Sequence, residues 1–274
     1  MNAMNDAVIV EAVRTPVGIG KPEKGALSGI HPVDLSAHVI DALISRVGIE
    51  PENVDDVIWG CVGQVGEQSS NIARNAALAA GLPESVTGVS VDRQCGSSQQ
   101  AVHFAAAAVM SGQMDVVIAG GVESMSRVPM FSNMAGGDGP FGPRMMSRYP
   151  DLVNQGISAE MIADQWNLSR AMLDEIAAES QQRAARATKD GLFDAEITAV
   201  EASDGPVSHD QGIRPDTTAT SLASLTPAFR EDGVVTAGNS SQISDGAAAV
   251  LVTTSARARE LGLTPMARVH SFAM

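Results

Sequence analysis

The segment Asp92-Arg93-Gln94-Cys95-Gly96-Ser97-Ser98-Gln99-Gln100 places one cysteine between an apolar run of strand length, Val86 to Val91, and a run of helix formers from Ser97 to Met110. A thiol at such a junction faces the first turn of a helix. There the N–H groups have no intrahelical acceptor, and their partial positive charge favours a thiolate, the form of cysteine that attacks a carbonyl carbon. Gly96 and two serines keep the approach to the sulfur open. The chemistry would be covalent catalysis by nucleophilic attack. The same spacing also suits an inert cysteine buried at a strand end, and the residues alone leave both readings open. His103 does not supply a base: eight residues on, it lies about 12 Å along the helix axis. It reads as a satisfied core histidine. The other cysteine, in Trp59-Gly60-Cys61-Val62-Gly63, reads as structural.

The elements that must position Cys95 follow from periodicity. Ala7 to Val10, Val54 to Trp59, Val86 to Val91 and Val116 to Ala119 are short apolar runs of strand type. Between them, Val33, Leu35, Val39, Ile40, Leu43, Ile44 and Val47 recur at helical spacing, and Asn71 to Ala80 is a helix stopped by Gly81 and Pro83. Strands alternating with helices predict a layered α/β domain with largely parallel pairing. The helix after Cys95 is apolar all round, which predicts burial between two layers.

Texture changes after Ser126. Prolines and glycines interrupt the chain as far as Pro150, and Met125, Met130, Met134, Met145 and Met146 crowd the same stretch. That pattern makes either an adaptable apolar surface for a ligand or a long surface loop whose methionines fill gaps. Two helices follow, after Ser158 and after Ser169. The second carries Leu173, Ile176, Ala177, Ala184 and Ala187 on one stripe and stops at Gly191. The core pattern resumes with a strand at Val234 to Thr236, a polar turn from Asn239 to Asp245, a strand from Ala247 to Thr253, a helix from about Ser255 to Leu261 and a strand from Met266 to Ala273. The predicted organisation is therefore a discontinuous core, 1–125 and 233–256, an inserted loop domain, 126–232, and the start of a second half, 257–274.

Composition bounds the partners. The 274 residues carry 18 Lys and Arg against 32 Asp and Glu, a formal charge of −14. A surface this acidic repels nucleic-acid phosphate, and any anionic ligand needs a locally basic site. No apolar run approaches the roughly 20 residues that cross a membrane. The opening residues do not form a secretory signal, and no Cys/His cluster has zinc spacing, so no metal is expected. The expectation is a cytoplasmic globular protein with no membrane or nucleic-acid partner.

Four segments carry a family resemblance: Val91 to Val102, Ala119-Gly120-Gly121-Val122-Glu123-Ser124-Met125-Ser126, Gly212-Ile213-Arg214-Pro215-Asp216-Thr217-Thr218, and Thr236 to Ala249 through Asn239-Ser240-Ser241-Gln242-Ile243-Ser244-Asp245-Gly246. Together and in this order they resemble the thiolases. The resemblance implies a layered α/β/α thiolase-like fold and a reaction. A 3-ketoacyl-CoA is cleaved with CoA to acetyl-CoA and a shortened acyl-CoA, or the reverse condensation runs. The cysteine matched by Cys95 holds the acyl group as a thioester, and its backbone N–H helps stabilise an oxyanion. Coenzyme A is then a substrate, with no resident cofactor. Arg214 matches a contact near the nucleotide and Ser241 one at the pantetheine. Asn154, in Asn154-Gln155-Gly156-Ile157-Ser158-Ala159-Glu160, stands where members often carry His, and is the third candidate CoA contact. For Arg214 the residues also leave open an ion pair with Asp210 or Asp216.

Thiolases have a second half that supplies Asn-Glu-Ala-Phe, Gly-His-Pro and Cys-x-Gly-Gly-Gly segments, and none occurs here. The chain thus reads as an N-terminal half with its loop domain, truncated within a strand of the second half. Two functions follow. One is a CoA-dependent acyltransferase of fatty-acid or steroid degradation, homodimeric or homotetrameric when complete. The other is an inactive fragment or non-catalytic subunit requiring a separate C-terminal half. A ketosynthase relative shares the fold and a cysteine nucleophile, but Asn239 to Ala249 resembles thiolases specifically.

Overall fold

A computed structural model describes residues 6–273, which divide into two compact units. The first comprises residues up to 133, 196–211 and from 244 on; the second comprises 134–195 and 212–243.

The first unit is built on strands β1 (Val8–Arg14), β2 (Gly18–Ile19), β3 (Asp56–Gly60), β4 (Thr87–Val91), β5 (Val116–Ser124), β8 (Ser244–Thr253) and β9 (Ala267–Arg268). A separate hairpin, β6 (Val200–Ala202) with β7 (Gly205–Val207), completes its strands. The sheet runs β4-β3-β5-β8-β1-β9, with β2 paired to β8. Its helices are α1 (Pro32–Val47), α2 (Ile72–Ala79), α3 (Ser97–Ser111) and α8 (Ser255–Glu260).

Alternation along the strands sends side chains to opposite faces. Val57, Trp59, Val116 and Ile118 join Leu35, Val39, Ile40 and Leu43 of α1 and Ile72, Ala73, Ala76 and Ala77 of α2 in one buried cluster. Ile58, Val117, Ala119 and Val252 join Ala101, Ala105, Ala106 and Val109 of α3 in the other. The result is an α/β/α layering, with Cys95 at the mouth of the α3 layer.

The helix expected over Val33 to Val47 and the helix after Cys95 form at the expected places, but four expectations need correction. Pairing is parallel only within β4-β3-β5; β8 is antiparallel to both β5 and β1, so the sheet is mixed. The parallel strands are joined by the crossovers of α2 and α3. No single crossover helix links β5 to β8, so nothing forces that pair to run parallel. Val234 to Thr236 is not a strand: only Thr236 makes an isolated bridge, to Pro227. The final strand is limited to Ala267 and Arg268. Finally, α3 is not enclosed. One stripe faces the sheet, while Phe104 is 47% exposed and Ala107 is also exposed.

What holds α3 so close to the sheet is the absence of side chains beneath it. Gly60 and Gly121 are register partners in β3 and β5. A Cβ on Gly60 would lie 2.3 Å from the Ser98 backbone N, and one on Gly121 would lie 2.1 Å from the Ser98 Oγ. The first turn of α3 therefore rests on bare backbone.

The second unit is made of α4 (Pro143–Arg148), α5 (Gln155–Trp166), α6 (Arg170–Lys189), α7 (Ala219–Ala223) and irregular segments. Helix α5 starts earlier than expected because Asn154, not Ser158, caps it: the Asn154 Oδ1 accepts from Ile157 N at 3.0 Å. The expected apolar stripe of α6 is also corrected. Ile176 is 67% exposed, and the residues buried on this helix are Asp174 and Ala178. The inward position goes to a carboxylate that has partners, as described below.

Replacing Gly60 with Ala forces a methyl into backbone atoms that have no rotamer to escape through. Gly60→Ala is expected to destabilise the first unit by about 2 kcal/mol, in the range of overpacked cores. Urea unfolding followed by circular dichroism reads this directly; a loss below about 0.5 kcal/mol, within the ordinary range of neutral surface changes, would contradict the close approach.

Candidate active site

Cys95 is exposed, one residue before the Gly96 that caps α3. A sharp turn carries the chain from Val91 into the helix. Gln94 sits in the left-handed region with φ +48°, a conformation that costs a residue with a Cβ about 1 kcal/mol or more. Hydrogen bonds hold it there. The Asp92 Oδ1 accepts from Gln94 N at 2.7 Å, and the Ser97 Oγ accepts from Arg93 N at 2.9 Å while donating to the Gln94 carbonyl at 2.5 Å. Backbone bonds from Gly96 N to Arg93 O and from Ser97 N to Gln94 O close the turn. The Cys95 side chain is thus carried outward on a fixed elbow, and the buried-thiol alternative does not describe it. The residues gave no sign of the left-handed Gln94, since that conformation leaves no composition signal in a non-glycine residue.

Cys61 is the opposite case. It is buried at the end of β3, its N–H donating to Val91 O at 3.0 Å. Burial, reinforced by Glu123 and Asp92, pushes its thiol up to about 12, so it stays protonated at neutral pH. His103 also differs from expectation. It is half-buried, its Nδ1 has no hydrogen-bond partner among the described residues, and its ring meets Phe272 edge-on with centroids 5.1 Å apart. It is packed rather than satisfied.

The segment Ala119 to Ser126 turns out to be a scaffold for this region. The Glu123 carboxylate accepts from Val62 N at 2.9 Å, Gly63 N at 3.2 Å and Gln68 Nε2 at 2.7 Å, tying the loop after β3 to β5. Gln68 is fully buried and accepts from Ser124 N through its Oε1. Asp245, opposite Ser124 in the β5–β8 ladder, accepts from Ser126 N at 2.9 Å. Met125, the first of the methionine-rich stretch, is held by its N–H to Ser244 O. Met130, Phe131 and Met145 are exposed.

The other three predicted site residues lie in the second unit. Arg214 is exposed and forms no ion pair among the described residues of that unit; its backbone N–H donates to the Gln181 Oε1 at 2.8 Å. Asp210, one of the two acids considered for it, is engaged bidentately by Arg14 in the first unit. Asn154 uses its side-chain oxygen as the cap of α5. Ser241 is exposed, in a loop that two buried acids anchor on its N-terminal side. Glu160, fully buried, accepts from Val234 N and Val235 N, each at 2.9 Å. Asp174 accepts from Arg170 Nε at 2.7 Å and from Asn239 Nδ2 at 3.0 Å. Gln242 donates to Gly212 O at 2.8 Å, so the Ser241 loop and the Arg214 segment are tied together. The result is an exposed cation and an exposed hydroxyl on linked segments, suited to an anionic ligand with a polar tail. Among the described residues no three His, Cys, Asp or Glu side chains are grouped to hold a metal ion, and no helix is long and apolar enough to cross a membrane.

Residues 7–256 match the family described as "Thiolase, N-terminal domain". The chain is 46% identical over 276 residues to a steroid 3-ketoacyl-CoA thiolase of Mycobacterium tuberculosis, covering 97% of this chain and 66% of that protein. It is 44% identical over 279 residues to a 3-ketoacyl-CoA thiolase of Colwellia psychrerythraea, covering 99% and 70%. The crystal structure of the Bacillus anthracis acetyl-CoA acetyltransferase superposes with a TM-score of 0.84 at 38% identity, over 98% of this chain and 70% of that one. The chain therefore spans about two thirds of the length of these relatives.

Glu160 is the residue whose loss should disturb the Ser241 loop without touching it. Glu160→Ala leaves two N–H groups in the interior without an acceptor, at a cost of about 2 kcal/mol. Hydrogen exchange at Val234 and Val235 is expected to accelerate by more than tenfold; unchanged protection at these two amides would exclude the anchoring role.

Proposed function

The chain belongs to the thiolase family, and from that premise we propose that Cys95 is the nucleophile of CoA-dependent acyl transfer. The reaction is cleavage of a 3-ketoacyl-CoA by CoA, or the reverse condensation. The observation that carries this reading is the exposed thiol on a fixed elbow at the N-terminus of a 15-residue helix. The Cys95 thiolate adds to the ketone carbon of the 3-ketoacyl-CoA. The bond between that carbon and C2 then breaks, leaving the acyl group on sulfur as a thioester and an acetyl-CoA enolate that takes up a proton. Free CoA attacks the thioester and returns the thiolate. Arg214 and Ser241 bind CoA, the first at its phosphates and the second along its pantetheine, and the Asn154 amide adds a contact at the start of α5. Arg214 is the local cation that an acidic protein needs to accept a polyanion.

The protein acts in the cytoplasm, in degradative metabolism of fatty-acyl or steroid-derived chains, as a homodimer or homotetramer. The exposed edge strand β4, with Val89 44% exposed, supports self-association. A second reading is favoured by one observation: the Cys95 sulfur makes no hydrogen bond among the described residues, and carbon–carbon cleavage needs both a base for the thiol and an acid for the enolate. On that reading the 274-residue chain is silent alone and works with a separate C-terminal thiolase half.

Incubation with acetyl-CoA or acetoacetyl-CoA, followed by peptide mass spectrometry, tests the nucleophile. An acyl adduct is expected on the Cys95 peptide and not on the Cys61 peptide, and Cys95→Ala abolishes it. Thiolysis is assayed in parallel with the chain alone and with a thiolase C-terminal half added. Turnover by the chain alone overturns the second reading, and turnover undiminished in Cys95→Ala overturns the first.

A further inference from the structure

We propose that Ser97 is a positioning residue for Cys95, its hydroxyl clamping the turn so that the thiol is presented at the start of α3. This inference rests on the reading of Cys95 as nucleophile and extends it to a residue with no assigned role. Ser97 is 4% exposed, although it stands in the first turn of a helix beside four consecutive exposed residues, Asp92 to Cys95. Its Oγ does two things at once: it accepts from Arg93 N at 2.9 Å and donates to Gln94 O at 2.5 Å. Those two groups flank the peptide whose geometry is unusual, because Gln94 is held at φ +48°. Nothing about glutamine favours that conformation; an L-residue there relaxes unless its neighbours prevent it.

Two backbone bonds, from Gly96 N to Arg93 O at 3.1 Å and from Ser97 N to Gln94 O at 3.0 Å, close the same turn but leave the Arg93 N–H to the Ser97 hydroxyl; the remaining restraints are weaker or more distant. Asp92 is exposed, so water competes with its bond to Gln94 N. The Gly60 and Gly121 contacts hold Ser98 and the helix, not the peptide before Cys95. Ser97 is the one buried side chain that grips both sides of the elbow. Without its hydroxyl the Arg93 N–H loses its acceptor and the Gln94 carbonyl keeps only its bond from Ser97 N, so the hold on the left-handed conformation loosens and the bond vectors that aim Cys95 change with it. Ser97 acts through this backbone and does not touch the substrate.

The test uses the 274-residue chain and iodoacetamide, with alkylation of each cysteine followed by peptide mass spectrometry at fixed pH. Cys61, buried in the same unit, is the internal reference for unfolding. Ser97→Ala is expected to slow Cys95 alkylation about tenfold, the effect of one buried hydrogen bond, with Cys61 still protected. Ser97→Thr keeps the hydroxyl and is expected to stay within about threefold of the parent. Combining Gln94→Gly with Ser97→Ala is expected to recover most of the rate, because glycine occupies φ +48° without the clamp. This double variant also covers the case in which Ser97→Ala alone folds poorly. Equal alkylation in the parent and Ser97→Ala overturns the proposal, as does a loss that Gln94→Gly fails to reverse. If parental Cys95 reacts no faster than the cysteine of an unstructured peptide, the nucleophile reading itself falls, which is a distinct result.

Discussion

The first unit depends on a close approach between the N-terminal turn of α3 and the bare backbone of Gly60 and Gly121. Two glycines in register on neighbouring parallel strands remove the layer of Cβ atoms that would otherwise separate helix from sheet. Packing energy then comes from Ala101, Ala105, Ala106 and Val109 lying flat on Ile58, Val117, Ala119 and Val252. Because the helix is fixed at this depth, the chain between Val91 and Gly96 has little room in which to turn. The left-handed Gln94 and the Ser97 clamp are how it turns, and Cys95 is the side chain left facing outward.

Charge plays an unexpected part for so acidic a chain. Several of its carboxylates serve as internal anchors for irregular backbone rather than as solvated surface. Glu123 gathers the loop after β3, Asp245 holds the turn after β5, and Glu160 and Asp174 hold the segment that carries Ser241. Glu123 and Glu160 each accept two backbone N–H groups that no regular element satisfies and Asp245 accepts one, while Asp174 accepts from the Arg170 and Asn239 side chains; these hydrogen bonds offset part of the cost of burying the charge. This accounts structurally for Glu123 and Asp245 inside the segments Ala119 to Ser126 and Thr236 to Ala249. It also explains α6, where Asp174 turns inward and Ile176 outward.

Legibility differed by element. Helix α1 was readable because its apolar positions keep one period from Val33 to Val47; the strands at Val8, Val57, Val89 and Val117 were readable because their runs are short and continuous. Strand direction was not, since an apolar run has the same pattern whichever way its neighbour points. Val234 to Thr236 has strand composition, yet Glu160 takes two of the backbone N–H groups there and Asn239 takes that of Thr236, so no ladder forms. Of the candidate site, Cys95, Arg214, Ser241 and Asn154 were nominated through residue type and motif, whereas the left-handed Gln94 and the buried Ser97 hydroxyl were not, because backbone geometry leaves no mark in composition.

The sequence by itself determined the family, the long helices and the main strands of the sheet, and the place of the candidate nucleophile between a strand and a helix. These follow from residue types, local periodicity and long segments whose order is specific. Only the tertiary structure decided which cysteine is exposed and which is protonated and buried, how β8 pairs, and which acids hold the Ser241 loop. Those outcomes depend on distances between residues far apart in the chain. Desolvation, hydrogen-bond satisfaction and steric approach are properties of the folded neighbourhood, and a linear pattern does not contain them.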